Sequence, residues 1–101
     1  MNNRVEIAKE FAKKIKSEKI LKIILFGSVA RGDDTEDSDI DILIISPFAD
    51  ELDDEIGKIA VDFILRTQEV IYTHVMTEEH FNETKDYPFL TNVLKEGVII
   101  G

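Results

Sequence analysis

The sequence predicts an α/β (α+β) domain, a small mixed β-sheet flanked by helices. Two short runs rich in isoleucine, residues 21–26 and 40–45, have strand length and contain no breaker. Two longer stretches, 4–17 and 50–66, repeat their apolar residues at helical spacing. These pieces follow one another as helix, strand, turn, strand, helix, strand and helices, an order that layers helices on a sheet.

From Arg4 to about Ser17, Ile7, Ala8, Phe11, Ala12 and Ile15 recur in the rhythm of an amphipathic helix, with Asn2 or Asn3 as its cap. Leu21 to Phe26 predicts an interior strand, ended by Gly27. Residues 33–38, Asp-Asp-Thr-Glu-Asp-Ser, are too polar to bury and predict a loop. Ile40 to Ile45 predicts the second interior strand, terminated by Ser46-Pro47. Asp50 to Arg66 predicts the longest helix. Leu52, Ile56, Ile59, Ala60 and Phe63 line one face, acids crowd its first turn and Arg66 lies in its last, as the helix dipole favours. Gly57 weakens that helix by up to ~1 kcal/mol relative to Ala, which suggests close packing there. Glu69 to Met76 is β-branched and aromatic enough for a third strand. Thr77 caps a short helix over 78–82, Tyr87-Pro88 opens the last one, and Gly97 closes it before Val98-Ile99-Ile100.

With 101 residues the chain is expected to form a single domain, 1–101. The absence of cysteine excludes disulfides and thiolate metal sites. No apolar run approaches the ~20 residues of a membrane span, and the N-terminus lacks the apolar core of a signal peptide, so a cytoplasmic protein with no membrane attachment is expected. A net charge of −9 argues against strong direct nucleic-acid binding, which depends on Lys and Arg neutralising phosphates. The charge is uneven, however. Arg4, Lys9, Lys13, Lys14, Lys16, Lys19 and Lys22 face only Glu6, Glu10 and Glu18 in the first 22 residues. This stretch reads as a solvated helix face with Glu/Lys pairs, the rival being a basic partner-binding surface.

The chemistry concentrates between residues 27 and 41. Gly27 and Ser28 stand where a strand ends and a helical turn begins, a place where backbone N–H groups and a hydroxyl can hold phosphate oxygens. Asp39 and Asp41 are two apart on a strand, so both project from one face and offer hard oxygens to Mg²⁺ or Mn²⁺. A phosphate cradle beside a carboxylate pair suggests nucleotidyl transfer. A calcium-loop reading of Asp37-Ser38-Asp39-Ile40-Asp41 fails, because its sixth position is Ile42 where Gly is needed and its twelfth is Phe48 where Glu is needed.

Gly27-Ser28, ten intervening residues and Asp39-x-Asp41, with Ala30-Arg31-Gly32 and Ser38 between them, resemble the signature of the DNA polymerase β-like nucleotidyltransferase superfamily. The small size is most similar to its minimal nucleotidyltransferase (MNT) group. The resemblance implies that Asp39 and Asp41 are catalytic and ligate Mg²⁺ or Mn²⁺, while Gly27 and Ser28 hold the β- and γ-phosphates of a nucleoside triphosphate. Ser28 also fits a simple helix cap. Arg31 could reach a phosphate or bond the acidic loop, and Gly32 supplies a backbone conformation that glycine reaches easily. Asp33, Asp34, Glu36 and Asp37 read as a solvated loop.

One departure stands out. Active members of the superfamily place a further Asp on the strand neighbouring the D-x-D strand, and here Val70 to Met76 holds no acid. Glu69 is a possible third metal ligand if the register brings it near Asp41; otherwise Tyr72, Thr73 or His74 occupies the position. His74 is left outside the site, since a lone strand histidine is commonly structural. A two-ion site is therefore expected to be incomplete. The family implies two functions: transfer of an NMP, AMP from ATP, onto an acceptor hydroxyl, or nucleotide binding that regulates a partner by contact. In both, the implied partner is a HEPN-domain protein in a toxin–antitoxin pair, with this chain as the antitoxin. Assembly into a homo-oligomer is left open.

Overall fold

The computed structural model describes residues 3–101. It begins with helix α1 (Arg4–Ile15), strand β1 (Lys22–Phe26), the one-turn helix α2 (Gly27–Arg31) and strand β2 (Ile40–Ile45). Helix α3 (Ala49–Thr67), strand β3 (Ile71–Met76), helices α4 (Glu78–Thr84) and α5 (Pro88–Glu96) and a short strand β4 (Val98–Ile99) follow. The sheet order is β3-β2-β1-β4, with β2 parallel to β3 and β1 antiparallel to both β2 and β4. This is the mixed sheet that the order of elements predicts.

Asn3 caps α1 by accepting the Glu6 N–H at 3.2 Å, while Asn2, the alternative cap, lies outside the described residues. Thr77 caps α4 by accepting the His80 N–H. Strand alternation splits the core into two layers. Ile40, Ile42 and Ile44 of β2 join Ile23 and Leu25 of β1 against α1 and α3, where Phe11 and Phe63 meet edge to face at 5.5 Å. On the opposite face Leu43, Ile45, Ile24 and Phe26 pack against Leu90 and Val93 of α5.

Two expectations need correction, and one strand goes beyond those expected. Val98-Ile99 continues past α5 into an edge strand on β1, pairing Ile24 with Ile99 and Leu25 with Val98. Gly57 is not closely packed, because a Cβ built on it meets no atom within 4 Å. Arg4 does not belong to the solvated face of α1. It is only 6% exposed and is paired with Asp34 and Glu69. Among the described residues no helix is long and apolar enough to cross a membrane.

Candidate active site

Because β1 and β2 are antiparallel, the end of one strand meets the start of the other, and Phe26 pairs with Asp41. On the other side of β2 the parallel register sets Tyr72 beside Asp41. Gly27 follows Phe26 with φ +75°, and a Cβ placed on it would collide with Asp41 Oδ2. Glycine is thus required twice, by a left-handed backbone and by the carboxylate the turn passes over. Phe26 holds the cap position of α2 and offers no side-chain cap, so Ser28 does not serve as that cap residue. Gly32 closes α2 at φ +82°, its N–H donating to Ser28 O at 2.9 Å.

Asp39 is exposed, one residue ahead of β2, and Asp41 is partly buried. Burial pushes the Asp41 carboxyl above the usual aspartate range, and the charge of Asp39 adds to the rise; His74 and Arg31 pull it back. Two carboxylates that repel one another, one of them poorly solvated, form a donor set that a hard dication would neutralise. The residues therefore fit a Mg²⁺ or Mn²⁺ ion completed by phosphate or water oxygens. Among the described residues no cluster of three or more Asp, Glu, His or Cys side chains forms a fuller metal site.

The neighbouring strand answers the question of the third carboxylate. Glu69 precedes β3 and its Oε2 accepts from Arg4 Nε at 2.7 Å, so the register does not bring it to Asp41. Tyr72 occupies that rung, and His74 stands beside Leu43, one rung further along the same face. The His74 ring lies 4.8 Å from Tyr72, 5.1 Å from Phe89 and 5.5 Å from Phe26, centroid to centroid. Burial lowers its pKa, and the Asp41 charge partly restores it. His74 thus stands among the rings beside the site and joins no metal-ligating group with the aspartates among the described residues. Only the β2–β3 register, which no local pattern encodes, could have placed it there.

The sequence pattern of the nucleotidyltransferase domain family matches residues 5–100. The chain belongs to the nucleotidyltransferase domain family. It is 43% identical over 102 residues to a Methanocaldococcus jannaschii protein provisionally named a protein adenylyltransferase, covering 97% of this chain and 98% of that one. Among solved structures the fold is shared with a toxin–antitoxin crystallised with AMP-PNP. There the TM-score is 0.64 at 17% identity, over all of this chain and 73% of the other. It is shared likewise with the toxin–antitoxin MntA-HpeT, in a mutant with two aspartates two positions apart changed to glutamate. The TM-score is 0.60 at 16% identity, over the same shares of the chains.

In this nucleotidyltransferase domain Arg31 bonds the acidic loop: its Nε donates to Asp33 at 3.1 Å and its Nη1 to Glu96 of α5 at 2.8 Å. Those hydrogen bonds, Glu96 first, raise its pKa, and its charge also reaches Asp41. Gly27 and Arg31 share a cleft of about 230 Å³ with Phe26, Phe89, Asn92 and Val93. The concavity of about 590 Å³ between α1 and β4 is larger but contains no motif residue. The cleft at Gly27 is smaller than the roughly 300–1,000 Å³ of self-sufficient ligand pockets. A nucleotide seated there would remain partly open to solvent, or to a protein docked over it.

Proposed function

We propose that this chain transfers AMP from ATP onto a hydroxyl of a partner protein. The acceptor oxygen bonds the α-phosphorus, the bond from that phosphorus to the bridging oxygen breaks, pyrophosphate leaves and the hydroxyl proton is released. The observation that carries this reading is the clearance at Gly27, where the turn expected to hold phosphates runs directly over Asp41. Phosphate cradle and carboxylate pair are one unit.

In this scheme the backbone at Gly27 and Ser28 holds the β- and γ-phosphates, with Arg31 at the rim able to exchange Glu96 for a phosphate oxygen. Asp39 and Asp41 would hold Mg²⁺ or Mn²⁺, whose charge would offset the negative charge that builds on the phosphates during transfer. The partner is a HEPN-type protein that this chain neutralises as an antitoxin. The adenylyltransferase relative, the toxin–antitoxin neighbours and the small, open cleft support that assignment. A second reading, a nucleotide-binding module acting by contact alone, draws on Tyr72 standing where a third carboxylate would complete a two-ion site.

The test mixes the protein with α-labelled ATP, Mg²⁺ and a HEPN-type protein encoded beside it. Label on the partner, lost with Asp39→Ala/Asp41→Ala, supports transfer. Metal-dependent ATP binding without label on the partner supports the contact reading, and no metal-dependent binding at all refutes both.

A further inference from the structure

We infer that Arg4, thirty residues ahead of the acidic loop in sequence, is a positioning residue that fixes where the chain enters Asp39. This deepens the proposed function and rests on Asp39 and Asp41 being the cation-binding pair. The Arg4 guanidinium makes four hydrogen bonds to two segments of the chain, loop residues 34–36 and Glu69. Nε donates to Glu69 Oε2 at 2.7 Å, Nη1 to Asp34 Oδ2 at 2.9 Å and to the Thr35 carbonyl, and Nη2 to the Glu36 carbonyl at 3.1 Å. A guanidinium only 6% exposed is costly to bury unless its donors are matched in this way.

The acceptors show what is being held. The Thr35 carbonyl also accepts the Ser38 N–H at 3.1 Å, while Ser38 Oγ accepts the Thr35 N–H at 2.9 Å. The 35–38 turn is therefore closed on itself and bolted to Arg4, and Asp39 is the next residue out of it. The Glu69 contact anchors the lead-in to β3 at the same point. One residue later the Val70 carbonyl accepts the Ile40 N–H at 2.8 Å, which starts the β2–β3 ladder beside Asp41. Loop 33–37 carries four acids that repel Asp39 and Asp41, and Arg4, together with Arg31 on Asp33, offsets that repulsion. Lysine carries the same charge, but it is a point charge without the planar fork that reaches two carboxylates and two carbonyls together. Ser38 gains a role here that its place in the motif left unexplained: it is the latch of this turn.

The experiment measures Mn²⁺ affinity in the presence of AMP-PNP by electron paramagnetic resonance, alongside Tm, for the full chain and three variants. Arg4→Lys is expected to weaken Mn²⁺ binding by about tenfold or more, the range seen when groups that orient metal ligands are changed. Ser38→Ala is expected to weaken it by about threefold, the loss of one hydrogen bond. Phe63→Leu, in the α1–α3 core, should lower Tm and leave the affinity unchanged. If Arg4→Lys does not fold, Ser38→Ala decides alone. Wild-type affinity in the folded Arg4→Lys and Ser38→Ala variants overturns the inference. So does an affinity that falls in Phe63→Leu in the same proportion to Tm. Failure of the unmodified chain to bind Mn²⁺ with nucleotide overturns the proposed function, and this inference with it.

Discussion

Strand β2 sends Ile40, Ile42 and Ile44 to one face of the sheet and Asp41, Leu43 and Ile45 to the other, and the two faces are finished differently. The first is closed: α1 and α3 cover it, and its aromatic pair, Phe11 and Phe63, is buried. The second is closed only where Leu90 and Val93 of α5 reach it. Towards the carboxylates it ends in a ring-lined margin where Tyr72 and Phe89 stand exposed beside His74. A single strand thus builds the core on one face and carries the proposed site on the other. Alternation keeps the two separate, so a change on one face should leave the other's property nearly intact.

The largest effect tests that separation from the open side. Asp39→Ala/Asp41→Ala should lower label transfer to the partner by on the order of 10³-fold with no loss of Tm. From the closed side, Phe63→Ala should cost about 3–5 kcal/mol in denaturant unfolding and leave nucleotide affinity per folded molecule unchanged. Parallel losses of Tm and affinity in either variant would break the comparison.

Gly27→Ala sharpens it, because Gly27 belongs to both faces' geometry: its backbone ends β1 and its missing side chain makes room for Asp41. The left-handed φ should cost about 1–3 kcal/mol. Displacement of the Asp41 carboxylate should cost a further ~10²-fold in transfer, measured at a temperature where the variant is folded.

Titration separates the faces again, since Asp41 and His74 both lie on the open one. Burial raises the Asp41 pKa, so its ionised form is the one the fold disfavours. The stability it contributes is present below the ordinary aspartate pKa and is lost as pH rises through the raised value. Asp41→Asn should therefore raise Tm at neutral pH, gain nothing in strong acid, and remove the stabilisation that Mg²⁺ with nucleotide is expected to give the unmodified protein. His74 has the opposite sign. Its lowered pKa contributes stability above about 6.5 that is lost as pH falls through the lowered value. His74→Phe should flatten the Tm profile in that interval, and an unchanged profile would show that its burial is not what the geometry indicates.

What could be read from the sequence follows the same division. Helices α1 and α3, strands β1 and β2 and the caps Asn3 and Thr77 are encoded within a few residues, and they appear within one or two residues of where the pattern puts them. The Gly27-to-Asp41 motif was legible because its spacing is local too. The unread features all depend on partners distant in sequence. Strand β4 exists because β1 offers it an edge, and Arg4 is buried because loop 33–38 and Glu69 converge on it. His74 faces the site because β3 pairs in one register with β2. Glu69, whose charge made it the sequence's candidate ligand, is held elsewhere by that convergence.

The smallest effect lies on the outer surface of α3, where the helix that closes one face turns towards solvent. Gly57 sits in the middle of this 19-residue helix with no positive φ, and a Cβ placed on it would have no atom within 4 Å. The glycine therefore brings the backbone no closer to anything, and it leaves the unfolded chain more freedom to lose on folding. Gly57→Ala should stabilise the fold by up to ~1 kcal/mol, read as a higher urea midpoint at unchanged m-value, with transfer and nucleotide affinity unaltered. A loss of stability would mean that α3 needs its bend or bareness at that point. A gain in stability accompanied by weaker labelling of the partner would place Gly57 under the docked protein, on a surface the isolated chain leaves open.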